Sequence, residues 1–291
     1  MADNFPDLID MRAVRSGIDS WFNGIVSSYG QALETAFLPV LRLLNGIEAF
    51  LLWVPWYVLI PAVALISFAA TRDWKMPVAV IVMLFLTGLL GLWEPAMATV
   101  ALMLTATLFA IVIGIPVGIF MSFSNRLQSI MLPVLDVMQT MPIFVYLIPF
   151  VMLFGPGKIP ALLATIVFSV PPLIRLTNLG IREVNPEVIE AVTAFGATPM
   201  QKLFAAQLPL ATPTIMAGIN QTTMMALSMV VIASMFGAGG LGYEVLQGIQ
   251  RLDVSRGLFA GLGIVFLAII FDRLVQAYGK RVQKHLEAGN T

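Results

Sequence analysis

The chain has 291 residues, 59% of them hydrophobic and 11% charged, with no net charge, a mean hydropathy of +0.92 and no cysteine. Soluble domains carry about a quarter charged residues, so this composition excludes a soluble globular protein and indicates an integral membrane protein with several spans. Neutrality speaks against nucleic acid and acidic substrates, and the lack of cysteine excludes disulfides, thiolate chemistry and cysteine metal sites.

The N-terminus holds Asp3, Asp7, Asp10 and Asp19 rather than a basic-then-apolar pattern, so no cleavable signal is read there. Residues 1–48 form an amphipathic arm. Ile18, Trp21, Phe22, Ile25 and Val26, then Leu33, Phe37, Leu41 and Leu44, recur at helical spacing, as in helices lying on a membrane surface or against a bundle. Crossing a bilayer takes about 20 apolar residues, and such runs lie near 50–70, 76–93, 97–123, 131–154, 159–179, 210–236 and 257–279. Without strand alternation these are helices. The expected fold is an all-α bundle of about seven spans, with residues 49–96 as scaffold, 97–279 as core and 280–291 as a polar tail carrying the single His285.

Residues 180–209 interrupt this pattern. Asn185-Pro186 reads as a helix start, with Asn as N-cap and Pro at the first helical position. Glu187 and Glu190 follow, where the helix dipole favours acid. Ala191 and Ala194 keep one face slim, and Gly196 permits a left-handed stop. Thr198-Pro199-Met200-Gln201 starts a second helix with a capping box, Lys202 follows, and Leu208-Pro209 is expected to end it, with Thr212-Pro213 opening the next span. Two short helices at a sharp turn make a knob that fits a groove on another protein, or an interfacial hairpin.

With this island in the cytoplasm, Arg72, Lys75, Arg126, Arg175, Arg182, Lys202, Arg273, Lys280, Arg281 and Lys284 lie inside. Arg12, Arg15, Arg42, Lys158, Arg251 and Arg256 lie outside, ten against six of the 16 basic residues. That bias has the sign of the positive-inside rule and puts the N-terminus outside and the C-terminus inside.

Few polar groups lie within the spans. Asp136 and Arg175 either are structural, pairing with each other or with Arg126, or serve transport. Asp272-Arg273 reads as a snorkelling pair. Phe144, Tyr146, Phe150 and Phe236 offer faces for a quaternary ammonium solute, or ordinary packing. Asn220, Gln221, Thr222, Thr223 and Ser228 form a polar stripe that bonds between helices or lines a passage. Gly237, Gly239, Gly240 and Gly242 mark a flexible outer gate or receptor-contact loop, while Gly114 with Gly118 and Gly257 with Gly261 have the spacing for close helix contact. Gly155-Pro156-Gly157-Lys158 lacks the remaining residues of a P-loop and reads as an outer turn. No metal site or bound cofactor is expected, and no catalytic residue.

The spacing of Glu190, Ala191, Gly196, Leu208 and Pro209 resembles the cytoplasmic Glu-Ala-Ala signature of type I ABC-transporter permeases, with Val192 and Ala206 standing where the family carries Ala and Ile. The segments from Asp136 to Pro149, from Pro171 to Leu176 and from Pro213 to Gly242 resemble the glycine betaine/proline betaine permeases of that family. The N-terminal arm is shorter than the polar tail of some members. The resemblance implies a permease subunit of an osmoprotectant importer in the bacterial inner membrane. It implies two permease copies, two cytoplasmic ATPase subunits that bind ATP and magnesium, and a periplasmic or extracellular solute-binding protein. It makes 180–209 the coupling loop, in which Glu187, Glu190, Ala191, Ala194, Gly196, Lys202, Leu208 and Pro209 meet the ATPase. The alternative is an ion-coupled secondary transporter of small amines or amino-acid-like solutes, against which the lack of central ionisable groups argues.

Overall fold

The computed structural model describes residues 10–288, with side chains to residue 279 and that of Arg281. Asp3, Asp7 and the side chains of Lys280, Lys284 and His285 lie outside the described residues. Twelve α-helices follow one another without a strand among the described residues.

Helix α1 (Met11–Trp53) starts where Asp10 Oδ1 accepts from the backbone N–H groups of Arg12 and Ala13 at 3.0 and 3.3 Å. It then runs 43 residues without a break at residue 48. The expected arm and the first part of the expected first span are therefore one helix, ~64 Å long at 1.5 Å per residue. Its apolar positions continue through Pro39, and Leu44 is 1% exposed in the main core. Helices α2 (Trp56–Thr71) and α3 (Lys75–Leu89) follow as a hairpin. At 16 and 15 residues they are shorter than a bilayer crossing demands. Five helices are long and apolar enough to cross, six with one bent pair; α1 joins the expected spans, and α2 and α3 fall short of the length, yet Arg281 Nη1 near the end of α12 donates to the Ala69 carbonyl at 2.6 Å, so the tip of their hairpin reaches the same end of the bundle as the last helix.

Helix α4 (Trp93–Phe123) continues through Pro116, but the expected span at 131–154 is broken. Helix α5 (Asn125–Thr140) and α6 (Ile143–Phe154) meet at 91°. Met141 is extended there because the ring of Pro142 disfavours the α region for the residue before it, and Pro142 then sets the start of α6. Helix α7 (Lys158–Arg182) leads into the short α8 (Pro186–Ala194) and α9 (Pro199–Lys202). A π-helical turn (Leu203–Gln207), α10 (Leu208–Ala233) and a second π turn (Ser234–Ala238) follow, then α11 (Leu241–Gln250) and α12 (Val254–Ala288). The boundary expected at residue 280 falls inside α12.

The core is the bundle of α4, α7 and α10. A Cβ on Gly118 would lie 2.6 Å from Thr177 Cβ, and one on Gly114 3.0 Å from Leu173. Residue numbers therefore rise together along α4 and α7. Gly218 faces Leu173 and Leu176, and Gly180 faces Thr214, so α10 runs antiparallel to α7. Small residues let these backbones close to a distance that larger side chains forbid. Gly257 likewise meets Gly248, whereas Gly261 faces open space.

Candidate functional site

The island between α7 and α10 folds largely as its punctuation demands. Asn185 Oδ1 accepts from the backbone N–H of Glu187 at 2.9 Å, and Pro186 opens α8. The helix stops at Gly196, whose φ is +80°. Its N–H donates to the Thr193 carbonyl at 2.9 Å, and the Ala197 N–H donates to Val192 at 3.3 Å. Thr198 Oγ1 accepts from the Gln201 N–H at 3.3 Å, while the Thr198 N–H donates to Gln201 Oε1 at 2.8 Å, closing the capping box.

Leu208-Pro209 does not end the second helix. The π turn carries the chain from α9 into α10, and both Pro209 and Pro213 lie within that continuous run. Pro209 stands in the first turn of α10, and Pro213 is carried within the helix. The wider π turn just before Leu208 is where the backbone adjusts. Leu208 packs on the cluster of Leu173, Ile181, Leu203, Ala211 and Ile215, which seats the knob on the core.

Glu187, Glu190, Ala191, Ala194 and Gly196 are exposed on one side of the knob, and Lys202 is half-buried. Three apolar side chains that sequence reasoning passed over stand out beside them. Phe195 is 92% exposed, and Met200 and Phe204 are exposed on the following turns. A phenylalanine at a helix C-cap in a polar segment was the available signal. Arg182 was also missed. Its Nε donates to Asn178 Oδ1 at 3.1 Å, Nη1 to Asn125 Oδ1 at 2.7 Å and Nη2 to the Met121 carbonyl at 3.2 Å. One guanidinium thus ties the end of α7 to the α4–α5 junction, just before the knob.

The residues read as pathway-lining do not share one environment. Asn220, Gln221 and Thr222 are consecutive in a helix and so point ~100° apart. Gln221 is exposed, Thr222 is fully buried with Oγ1 unpartnered, and Asn220 Oδ1 is buried without a partner. Thr223 donates to the Ile219 carbonyl at 2.8 Å and exposed Ser228 to Met224 at 3.0 Å. Phe144 is exposed and meets Phe236 edge to face at 6.1 Å. Tyr146 is buried against Phe168, and its hydroxyl donates to the Met138 carbonyl across the break between α5 and α6. Phe150 packs on the main core. Asp136 pairs with Arg175, whereas Asp272 accepts from Gln276 at 2.6 Å rather than from Arg273.

At the opposite end, the glycine-rich loop is packed. A Cβ on Gly240 would lie 2.6 Å from Thr99 Oγ1, and one on Gly242 would lie 1.9 Å from the Val231 carbonyl oxygen. Thr99 Oγ1 accepts from the Leu241 N–H at 2.9 Å, capping α11 from α4. Gly237 abuts Pro156 and Gly157, and Gly239 faces open space. The turn at Gly155-Pro156-Gly157-Lys158 joins α6 to α7, and Lys158 Nζ holds Glu48 at 2.5 Å and Asn45 at 3.1 Å on α1.

Residues 110–284 match the family model described as binding-protein-dependent transport system inner membrane component. The chain is 51% identical to the glycine betaine/proline betaine transport system permease protein ProW of Escherichia coli, over 90% of this chain and 75% of that one. It is 46% identical to the glycine betaine/carnitine transport permease protein GbuB of Listeria monocytogenes, over 91% and 96%. Among solved structures, one of the MetNI methionine ABC transporter in inward-facing conformations superposes with a TM-score of 0.58. It covers 67% of this chain and 95% of that one at 24% identity, which is a likeness of fold.

Proposed function

The chain belongs to the family of binding-protein-dependent transport system inner membrane components, and from that premise we propose how it works. It is the permease subunit of an ABC importer, not itself an enzyme, and its solutes are glycine betaine and related osmoprotectants. Two copies pair, and each docks one cytoplasmic ATPase subunit. A solute-binding protein delivers the solute on the other side. ATP and magnesium bind the ATPase, and this chain supplies the passage.

The observation that carries this reading is the knob of α8 and α9. It is stiffened by two side-chain caps, turned at Gly196 and tipped by Phe195 and Met200. An exposed phenylalanine and methionine, with Val188 and Phe204 also open on a segment that protrudes from the bundle, favour a protein groove as their setting. Closure of the ATPase around the knob pushes the end of α7, and Arg182 passes that displacement to the α4–α5 junction. The glycine-rich loop is then a fixed wedge between α4 and α10, and Gly239 is its free point for contact with the binding protein.

The knob and the C-terminus lie in the cytoplasm. Because α1 counts among the spans, the N-terminus joins them there, where seven spans would place it outside. Arg12 and Arg15 then move inside, and the basic count changes from ten against six to twelve against four, which strengthens the positive-inside bias.

Reconstitution of the purified chain with its ATPase and solute receptor tests the reading. ATP-driven uptake of labelled glycine betaine is expected only with all three. Uptake by this chain alone under a sodium or proton gradient would overturn it.

A further inference from the structure

The Asp136–Arg175 pair has no role in that coupling. Arg175 Nη2 donates to Asp136 Oδ1 at 2.6 Å. Its depth follows from the helices: Arg182 meets Asn125 at the inner ends of α7 and α5. Arg175 lies two turns up α7 from that contact and Asp136 three turns up α5. The rises are ~10 and ~16 Å, inside a hydrocarbon layer of ~30 Å. Yet the Asp136 side chain is 61% exposed and that of Arg175 36%. Charges at such depth face protein or a water-filled cavity rather than lipid. Arg175 Nε is buried and donates to no group, so the guanidinium holds a spare donor. One turn above Asp136 lies Thr140, where α5 stops and the chain swings through 91°. The face bearing the pair thus ends at the break between α5 and α6.

We propose that this pair is a transit station for a zwitterion on the solute passage, with Arg175 taking the carboxylate and Asp136 facing the quaternary ammonium. The inference rests on the importer reading and names a binding site within it. A solute with a carboxylate a few bonds from a quaternary nitrogen carries the two charges of the pair in complementary sense. Its arrival replaces one ion pair with two and moves no net charge into the membrane. When the solute leaves, Asp136 and Arg175 close on each other, so neither charge is left bare. Because the solute must displace an existing ion pair, it is held weakly and released readily, as a passage requires.

The chain has no cysteine, so a single introduced cysteine is the only one this chain carries. The experiment uses the complex with ATPase and receptor in proteoliposomes. Thr140→Cys leaves the pair intact, and Phe120→Cys, on an exposed apolar face of α4, is the control. A trimethylammonium-ethyl methanethiosulfonate is expected to modify Thr140→Cys about tenfold faster than Phe120→Cys, and excess glycine betaine is expected to slow it. Modification of Thr140→Cys by N-ethylmaleimide but not by the charged reagent would place the pair against lipid or the second copy and overturn the proposal. Asp136→Asn and Arg175→Gln are each expected to lower uptake about tenfold. The charge-reversed double variant is expected to recover complex abundance without uptake. Recovery of at least half of the uptake would make the pair a structural tie and overturn the station. Uptake by the unmodified complex judges the importer reading separately.

Discussion

Two glycine-bearing breaks, at Gly196 and at Gly239 to Gly242, lie at opposite ends of the same bundle; both stop a helix at a glycine of positive φ, Gly196 and Gly239, but only the outer one is also clamped by neighbouring helices. At Gly196 a Cβ would meet nothing within 4 Å, and the positive φ alone calls for glycine. At Gly242 a Cβ would run into the Val231 carbonyl, and space alone calls for glycine. The inner break is set by its own chain and stands exposed without support from other helices. The outer break has positive φ at Gly239 and Gly240 too, and in addition α4, α10 and α11 close on Gly240 and Gly242. Local caps at Asn185 and Thr198 stiffen the knob without burial, as the proposed coupling role requires.

This contrast can be broken most forcefully at Gly242. Gly242→Val cannot be housed without moving the α10 backbone, so the chain is expected to vanish from the membrane; immunoblotting of membrane fractions checks this. Normal abundance would mean that the outer loop is not a wedge. Gly196→Val has free space but an unfavourable φ, costing roughly 1–2 kcal/mol. Membrane abundance should persist while ATP-driven uptake falls by about tenfold or more. Gly196→Asn should recover much of that uptake, because Asn tolerates the left-handed region, and equal failure of both would point to the side chain rather than the backbone angle.

Arg182→Ala removes three hydrogen bonds but no helix. The expected result is assembled complex whose ATPase activity no longer responds to the solute-loaded receptor. A normal response would remove Arg182 from the transmission route. The smallest effect belongs to Thr198→Ala, which loses one cap worth about 1 kcal/mol. A modest drop in uptake, with faster proteolysis near residue 198, would sharpen the view that local caps stiffen the knob.

The knob was legible because its determinants are adjacent in sequence. Asn185 and Thr198 each bond an N–H two or three residues away, and Gly196 answers a single backbone angle. Phe195, Met200 and Phe204 escaped notice because their exposure depends on where the rest of the bundle is. The expected break at Leu208-Pro209 failed because a π turn took up the strain that a proline pattern reads as an end. The polar run from Asn220 to Ser228 was read as one stripe, although helical geometry sends consecutive side chains in different directions.

Hydropathy and helix punctuation, both short-range properties, were enough to determine a helical membrane protein with two short helices kinked at Gly196 between two of its spans. Only the tertiary structure decided that α1 is a single long helix that meets the core at Leu44 and that α5 and α6 turn through a right angle. It also brought Arg175 to Asp136 and Lys158 to Glu48. Those outcomes depend on which distant side chains fill the same space, and no spacing along one chain encodes the distance between two helices.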